Sequence, residues 1–90
     1  MLKRNKIIIS GNVRGVFFRR FVFENAVSLG LKGYVKNRDD GKVEAVFEGE
    51  EVNVKKMVER CRIGNPLSKV KNIIINEEIP KRESEFRIIS

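Results

Sequence analysis

Residues 6–31, KIIISGNVRGVFFRRFVFENAVSLGL, set the frame for the whole chain. Lys6-Ile7-Ile8-Ile9-Ser10 is short, β-branched and stopped by Gly11, the pattern of a buried strand. A loop with two glycines follows, Gly11-Asn12-Val13-Arg14-Gly15. From about Phe18 the period changes. Phe18, Phe21, Val22, Ala26 and Leu29 recur at spacings of three and four and predict a helix with one apolar stripe. Gly30 followed by Leu31 has the form of a left-handed C-terminal cap with its hydrophobic contact.

Working outward, Gly33–Arg38 is a second strand, and Asp39-Asp40-Gly41-Lys42 is a hairpin turn. Val43, Ala45 and Phe47 alternate with Glu44 and Glu48, which gives a third strand with one face towards the core. A second helix is expected over about Glu50–Ile63, with Glu50 and Glu51 at its positive end and Arg60 and Arg62 near its negative end. Its inner stripe is Val54, Met57, Val58 and Cys61, and Gly64-Asn65-Pro66 stops it. Val70–Asn76 is a fourth strand, and a polar stretch, Glu77–Glu83, leads to a short last strand at Phe86–Ile89. Neither helix can cover its own stripe, so both must pack on one face of a shared sheet. The order β-α-β-β-α-β with a short extra C-terminal strand is that of an α+β, ferredoxin-like (split β-α-β) sandwich, with an antiparallel sheet and two helices on one face. The exposed edge of the last strand is a place where two chains could pair. This fold hosts many unrelated activities, so function has to come from a site.

Ninety residues make one small domain, 1–90, too short for two independent cores. With 41% hydrophobic and 34% charged residues the composition is globular. No apolar run approaches the roughly 20 residues of a membrane-spanning helix, and Met1–Lys6 is followed only by Ile7-Ile8-Ile9 rather than a signal-peptide core. A single cysteine makes no internal disulfide, so nothing calls for an oxidising compartment, and a soluble, cytoplasmic domain is expected. The chain has no histidine, which excludes His-based triads, His general acid–base chemistry and the common His metal sites. Thr, Gln and Trp are also absent while Lys, Arg, Glu, Ile and Val abound, a bias that suits a heat-adapted protein.

The net charge of +7 is unevenly placed. Residues 1–42 carry ten Lys/Arg against three acids, and residues 43–90 carry nine of each, so the first half holds all the excess. Such a field attracts an anion, either a polyanionic strand or a small phosphate ester.

The loop from Gly11 to Arg19 narrows the choice. A helix start leaves several N–H groups without partners and favours an anion through its dipole. Ordinary helices fill that need with Ser, Thr, Asp or Asn, yet no such residue stands between Gly15 and Phe18. Either the loop amides converge on a phosphate, with Arg19 closing the cradle by a two-pronged contact, or the glycines serve a tight strand-to-helix turn only. A Walker loop is absent. A Cys-x5-Arg phosphatase would need Arg where Leu67 stands, and Cys61 sits on an apolar stripe as a core thiol. Asp39 and Asp40 read as turn residues rather than metal ligands, and no cluster with metal spacing occurs.

The string Gly11-x-Val13-x-Gly15-Val16-x-Phe18-Arg19, then Gly30, Gly33-Tyr34-Val35-x-Asn37 and Asp40-Gly41-x-Val43-Glu44, resembles the acylphosphatases over nearly the whole chain. That resemblance implies metal-free hydrolysis of carboxyl–phosphate anhydrides, with no cofactor. It implies a phosphate-binding loop of Arg14, Gly15, Val16, Phe17, Phe18 and Arg19, with Arg19 and Asn37 as catalytic residues. The expected partners are a small acyl phosphate and inorganic phosphate, the latter as product and competitive inhibitor; nucleic acid and membrane are not expected. Departures from the family pattern are Arg14 in place of the usual Gln, Arg38 in place of a small hydroxyl residue, and Tyr34 in place of the frequent Trp. Arg14 and Arg38 are expected either to strengthen phosphate binding or to slow product release. Two alternatives differ in class. An RNA-recognition domain shares the element order but stacks bases on strand aromatics, where this chain has Ile7-Ile8-Ile9 and only Phe47. A phosphate-binding domain without turnover would keep the loop alone.

Overall fold

The computed structural model describes residues 1–89. The elements are β1 (Leu2–Asn12), α1 (Phe18–Ser28), β2 (Lys32–Asn37), β3 (Val43–Glu50), α2 (Glu51–Ile63), β4 (Lys69–Glu78) and β5 (Phe86–Ile89). They form one five-stranded sheet in the order β4-β1-β3-β2-β5, the ferredoxin-like arrangement that the sequence pattern predicts. The sheet is mixed rather than wholly antiparallel. β1 pairs antiparallel with β3 and β4, and β2 with β3, but β5 lies parallel to β2, with Gly33 opposite Phe86 and Val35 opposite Ile88. The chain turns back after β4, so a strand laid beside β2 runs in the same direction as β2.

The core lies between the sheet and the two helices. Ile7 and Ile9 of β1, Val35 of β2, and Ala45 and Phe47 of β3 meet Phe18, Val22 and Ala26 of α1 and Val54, Met57 and Cys61 of α2, all of them buried. Phe86 joins this layer from β5, stacked on Phe47 with ring centroids 5.8 Å apart. Gly30 and Leu31 close α1 as expected, with the Leu31 N–H donating to the Ala26 carbonyl at 2.9 Å. Gly33 has a positive φ of 135°, and a Cβ there would fall onto the Val46 carbonyl oxygen, so β2 can approach β3 at that point only through glycine.

The opposite face of the sheet departs from the simple alternation of core and polar residues. Glu44 and Glu48 are buried, as is Arg4, and β1 is longer than Lys6–Ser10 because it pairs with β3 from Leu2 onward and with β4 as far as Asn12. Its guanidinium donates to Glu48 at 3.1 Å, Glu78 at 2.9 Å and Glu83 at 3.0 Å. The segment 79–85 crosses this face from β4 to β5, and its Lys81 and Glu83 N–H groups donate to the two Glu48 carboxylate oxygens at 2.8 and 3.0 Å. Burial alone would raise the Glu48 pKa. The Lys81 amide, the Arg4 guanidinium and the Glu83 amide outweigh burial and hold the carboxyl below its ordinary value of 4.5.

A carboxyl depressed in the folded state stabilises the fold fully above its unfolded value. That contribution is lost as pH falls below 4.5 towards the lower folded value. Glu48→Gln is therefore expected to cost about 2–3 kcal/mol at neutral pH, where the paired carboxylate matters most. Urea unfolding at neutral pH and at about pH 3 should show a smaller acid-induced loss in the variant than in the parent.

Candidate active site

The strand-to-helix loop is built around backbone conformations that ordinary residues avoid. Val13, buried at the end of the β1 layer, anchors its start. Gly15 has φ 69°, and Phe17, the residue that caps α1, sits in the left-handed region at φ 60°, ψ 25°. Left-handed backbone costs a non-glycine residue about 1–2 kcal/mol, and the Phe17 side chain is 71% exposed, so burial recovers little of it. No side chain caps the helix, and its first turn carries no acid. Among the described residues, no acceptor meets the N–H groups of Gly15 through Arg20. These amides, with the positive end of α1 behind them, form a concavity suited to an anion.

A pocket of about 320 Å³ opens over these amides. Gly15, Phe17, Phe18 and Arg19 line one wall, Asn37 and Ile88 the other, with Val13 and Arg20 completing it. Strand alternation explains Asn37: it shares the helix-facing side of β2 with the buried Val35, but stands at the strand end where the core gives way to the pocket. Its Oδ1 is buried and has no hydrogen-bond partner among the described residues. Arg19 reaches the pocket from the first turn of α1, and its Nη1 donates to the Ile89 carbonyl of β5 at 3.2 Å. The fifth strand thus fixes the guanidinium from the sheet side.

Of the residues singled out from the sequence, Gly15, Phe17, Phe18, Arg19 and Asn37 come together on this pocket, whereas the Arg14 and Val16 side chains lie outside its lining. Arg14 donates to the Arg38 carbonyl at 3.0 Å. Arg38 is itself drawn away by Asp40 at 3.1 Å and Glu44 at 3.2 Å. Sequence reasoning missed Asn65. Its Nδ2 donates to the Val16 carbonyl at 2.8 Å, while its own N–H donates to Ser68 Oγ at 3.0 Å, so the turn after α2 braces the loop from behind. In Gly64-Asn65-Pro66 an asparagine reads as a helix stop, and no local signal points to a contact 49 residues away.

The fold and this pocket together define a ferredoxin-like α+β protein with an anion-receptive strand-to-helix loop, a fixed guanidinium and a buried free carboxamide oxygen. The chain belongs to the acylphosphatase family, whose model matches residues 5–88. It is 44% identical over 89 residues to an acylphosphatase of Moorella thermoacetica, covering 99% of this chain and 96% of that protein. It superposes with a TM-score of 0.95 on the crystal structure of acylphosphatase from Bacillus subtilis, at 42% identity and full coverage of both chains. An acylphosphatase from Coxiella burnetii matches at a TM-score of 0.94 and 35% identity, over 98% of this chain and 93% of that one. Members of this family hydrolyse acyl phosphates, and the chain is a hydrolase of that class.

Asn65→Ala is expected to cost about 1–2 kcal/mol through the lost bond to Val16. It should also reduce the rise in melting temperature that inorganic phosphate gives the parent, since phosphate would then have to order a looser loop. Thermal melts with and without phosphate measure both effects.

Proposed function

We propose that the chain hydrolyses acyl phosphates in the pocket between the 13–19 loop and the ends of β2 and β5, with Arg19 and the loop amides holding the phosphoryl group and Asn37 placing the water. The observation that carries this is the buried Asn37 Oδ1, an acceptor without a partner in the same pocket as the Arg19 guanidinium. The N–H groups of Gly15 to Phe18 and the Arg19 guanidinium would neutralise the equatorial oxygens as charge redistributes. Asn37 Oδ1 accepts a hydrogen bond from water and aims the oxygen lone pair at phosphorus, in line with the bond to the acyl oxygen.

The P–O bond to the acyl group breaks, its electron pair leaves with the carboxylate, and the proton of water passes to the phosphate or to solvent. Carboxylate is a good leaving group, so neither a metal nor a general base is needed. Inorganic phosphate fits the same amides and guanidinium and acts as a competitive inhibitor. Arg14 would act on it through charge alone, given its bond to the Arg38 carbonyl. Nucleic acid is not a partner in this scheme: the sheet face that RNA-recognition domains use carries buried Glu44 and Glu48 and is crossed by residues 79–85. A cytoplasmic setting agrees with a single thiol, Cys61, that is free and buried.

Hydrolysis of benzoyl phosphate in the presence of a chelator tests the assignment. The parent should turn over, Asn37→Ala should lose about 10²–10³-fold in kcat with phosphate inhibition retained, and Arg19→Ala should lose both. Full activity in Asn37→Ala, or loss of the parent's activity with chelator, would contradict it.

A further inference from the structure

β4 is one outer edge of the sheet, and its ten residues make it much longer than β5 at the other edge. One side of its backbone is paired with β1, and among the described residues no strand pairs with the other. Free edges are usually blunted by proline, by central charges or by shortness. Lys69–Glu78 contains no proline, and its middle is Ile73-Ile74-Ile75. Ile74 is 48% exposed and Ile75 41%, on opposite faces of the strand, so neither helix packing nor the 79–85 crossing covers both.

The order of residues along the edge is self-complementary. Lys71-Asn72-Ile73-Ile74-Ile75-Asn76-Glu77 reads the same from either end in polarity, with the charge inverted. Lys69 and Lys71 lie at one end, Glu77 and Glu78 at the other. We propose that the free edge of β4 pairs antiparallel with the same edge of a second copy of this chain, about a two-fold axis through Ile74.

Such an axis stands normal to the sheet, so paired residues share a face and their numbers sum to an even value. With Ile74 opposite Ile74, each Ile73 meets Ile75 and each Asn72 meets Asn76. The lysine end of one copy runs beside the glutamate end of the other. Sliding by two residues one way sets Ile75 against Lys71, and the other way Ile73 against Glu77, so the isoleucines and charges select a single register. The β1–β4 bulge at Ser10/Gly11 lies beside Lys71, so the ladder spans 72–76 and the charged ends flank it. The result is a ten-stranded sheet with all four helices on one side. Pocket residues Asn37, Arg19 and Ile88 lie towards the opposite edge and stay open to substrate.

Sedimentation velocity over a concentration series should show a reversible monomer–dimer equilibrium. Ile74→Lys sets two ammonium groups against each other at the axis and should raise the dimer dissociation constant by more than about tenfold, with an unchanged circular dichroism spectrum. Ile74→Cys should crosslink under mild oxidation, and Asn72→Cys, whose opposite residue is Asn76, should not. Native Cys61 does not interfere, because it is fully buried and burial pushes its thiol up to about 12. The crosslinking pair also decides the matter if Ile74→Lys fails to fold. A monomer at every concentration, a dimer indifferent to Ile74→Lys, or crosslinking by Asn72→Cys in place of Ile74→Cys would overturn the proposal.

Discussion

Glu48 is the point through which the two ends of the sheet are tied together. It is a carboxylate near the C-terminal end of the central strand, on the face away from the helices, and a buried charge there is tolerable only if every lone pair is used. Arg4 from β1 and the amides of Lys81 and Glu83 supply those partners. Burial alone would lower the Arg4 pKa. Hydrogen bonds to Glu78, Glu83 and Glu48 outweigh burial and raise the pKa, so the guanidinium stays charged. Because the crossing segment is fixed at Glu48, β5 is delivered to the outside of β2, where Phe86 can stack on Phe47 and enter the core.

The consequence reaches the pocket. β5 brings the Ile89 carbonyl to the Arg19 guanidinium and Ile88 to the pocket wall. From the other side Asn65 holds the loop by the Val16 carbonyl. The loop between them keeps uncapped amides and a left-handed Phe17, features that lower stability on their own and persist because β5 and the α2–β4 turn over-determine the loop's position. An anion binding there would satisfy amides that the protein leaves unpaired, so the site is assembled before the ligand arrives.

Much of this was legible in the residues. The stripe Phe18, Val22, Ala26, the strand Ile7–Ile9 and the stop at Gly30-Leu31 each carry their own period or cap, and local chemistry suffices to place them. Glu44 and Glu48 misled for a physical reason. Alternation reports that two faces differ, but it cannot show that Tyr34, Lys6 and Arg38 will gather on Glu44 or that residues 79–85 will roof Glu48. The same roof makes Arg4 a buried residue, through its bond to Glu83. The parallel placement of β5 and the bracing by Asn65 are long-range contacts, with no periodicity to announce them. In the pocket, Arg19 and Asn37 were expected from the resemblance to the acylphosphatases; the residues alone left the loop open between an anion cradle and a tight turn, and Asn37 reads by itself as a strand-end asparagine. The direction of Arg14 was not, because it depends on where the Arg38 carbonyl points.

The central claim is that a water held by Asn37 attacks phosphorus. Hydrolysis of benzoyl phosphate in ¹⁸O-labelled water, with mass analysis of both products, tests it directly. The account predicts that the label enters inorganic phosphate and that the benzoate carries none. Label in the benzoate would mean that water attacks the carbonyl carbon, and would contradict the role given to the loop, Arg19 and Asn37.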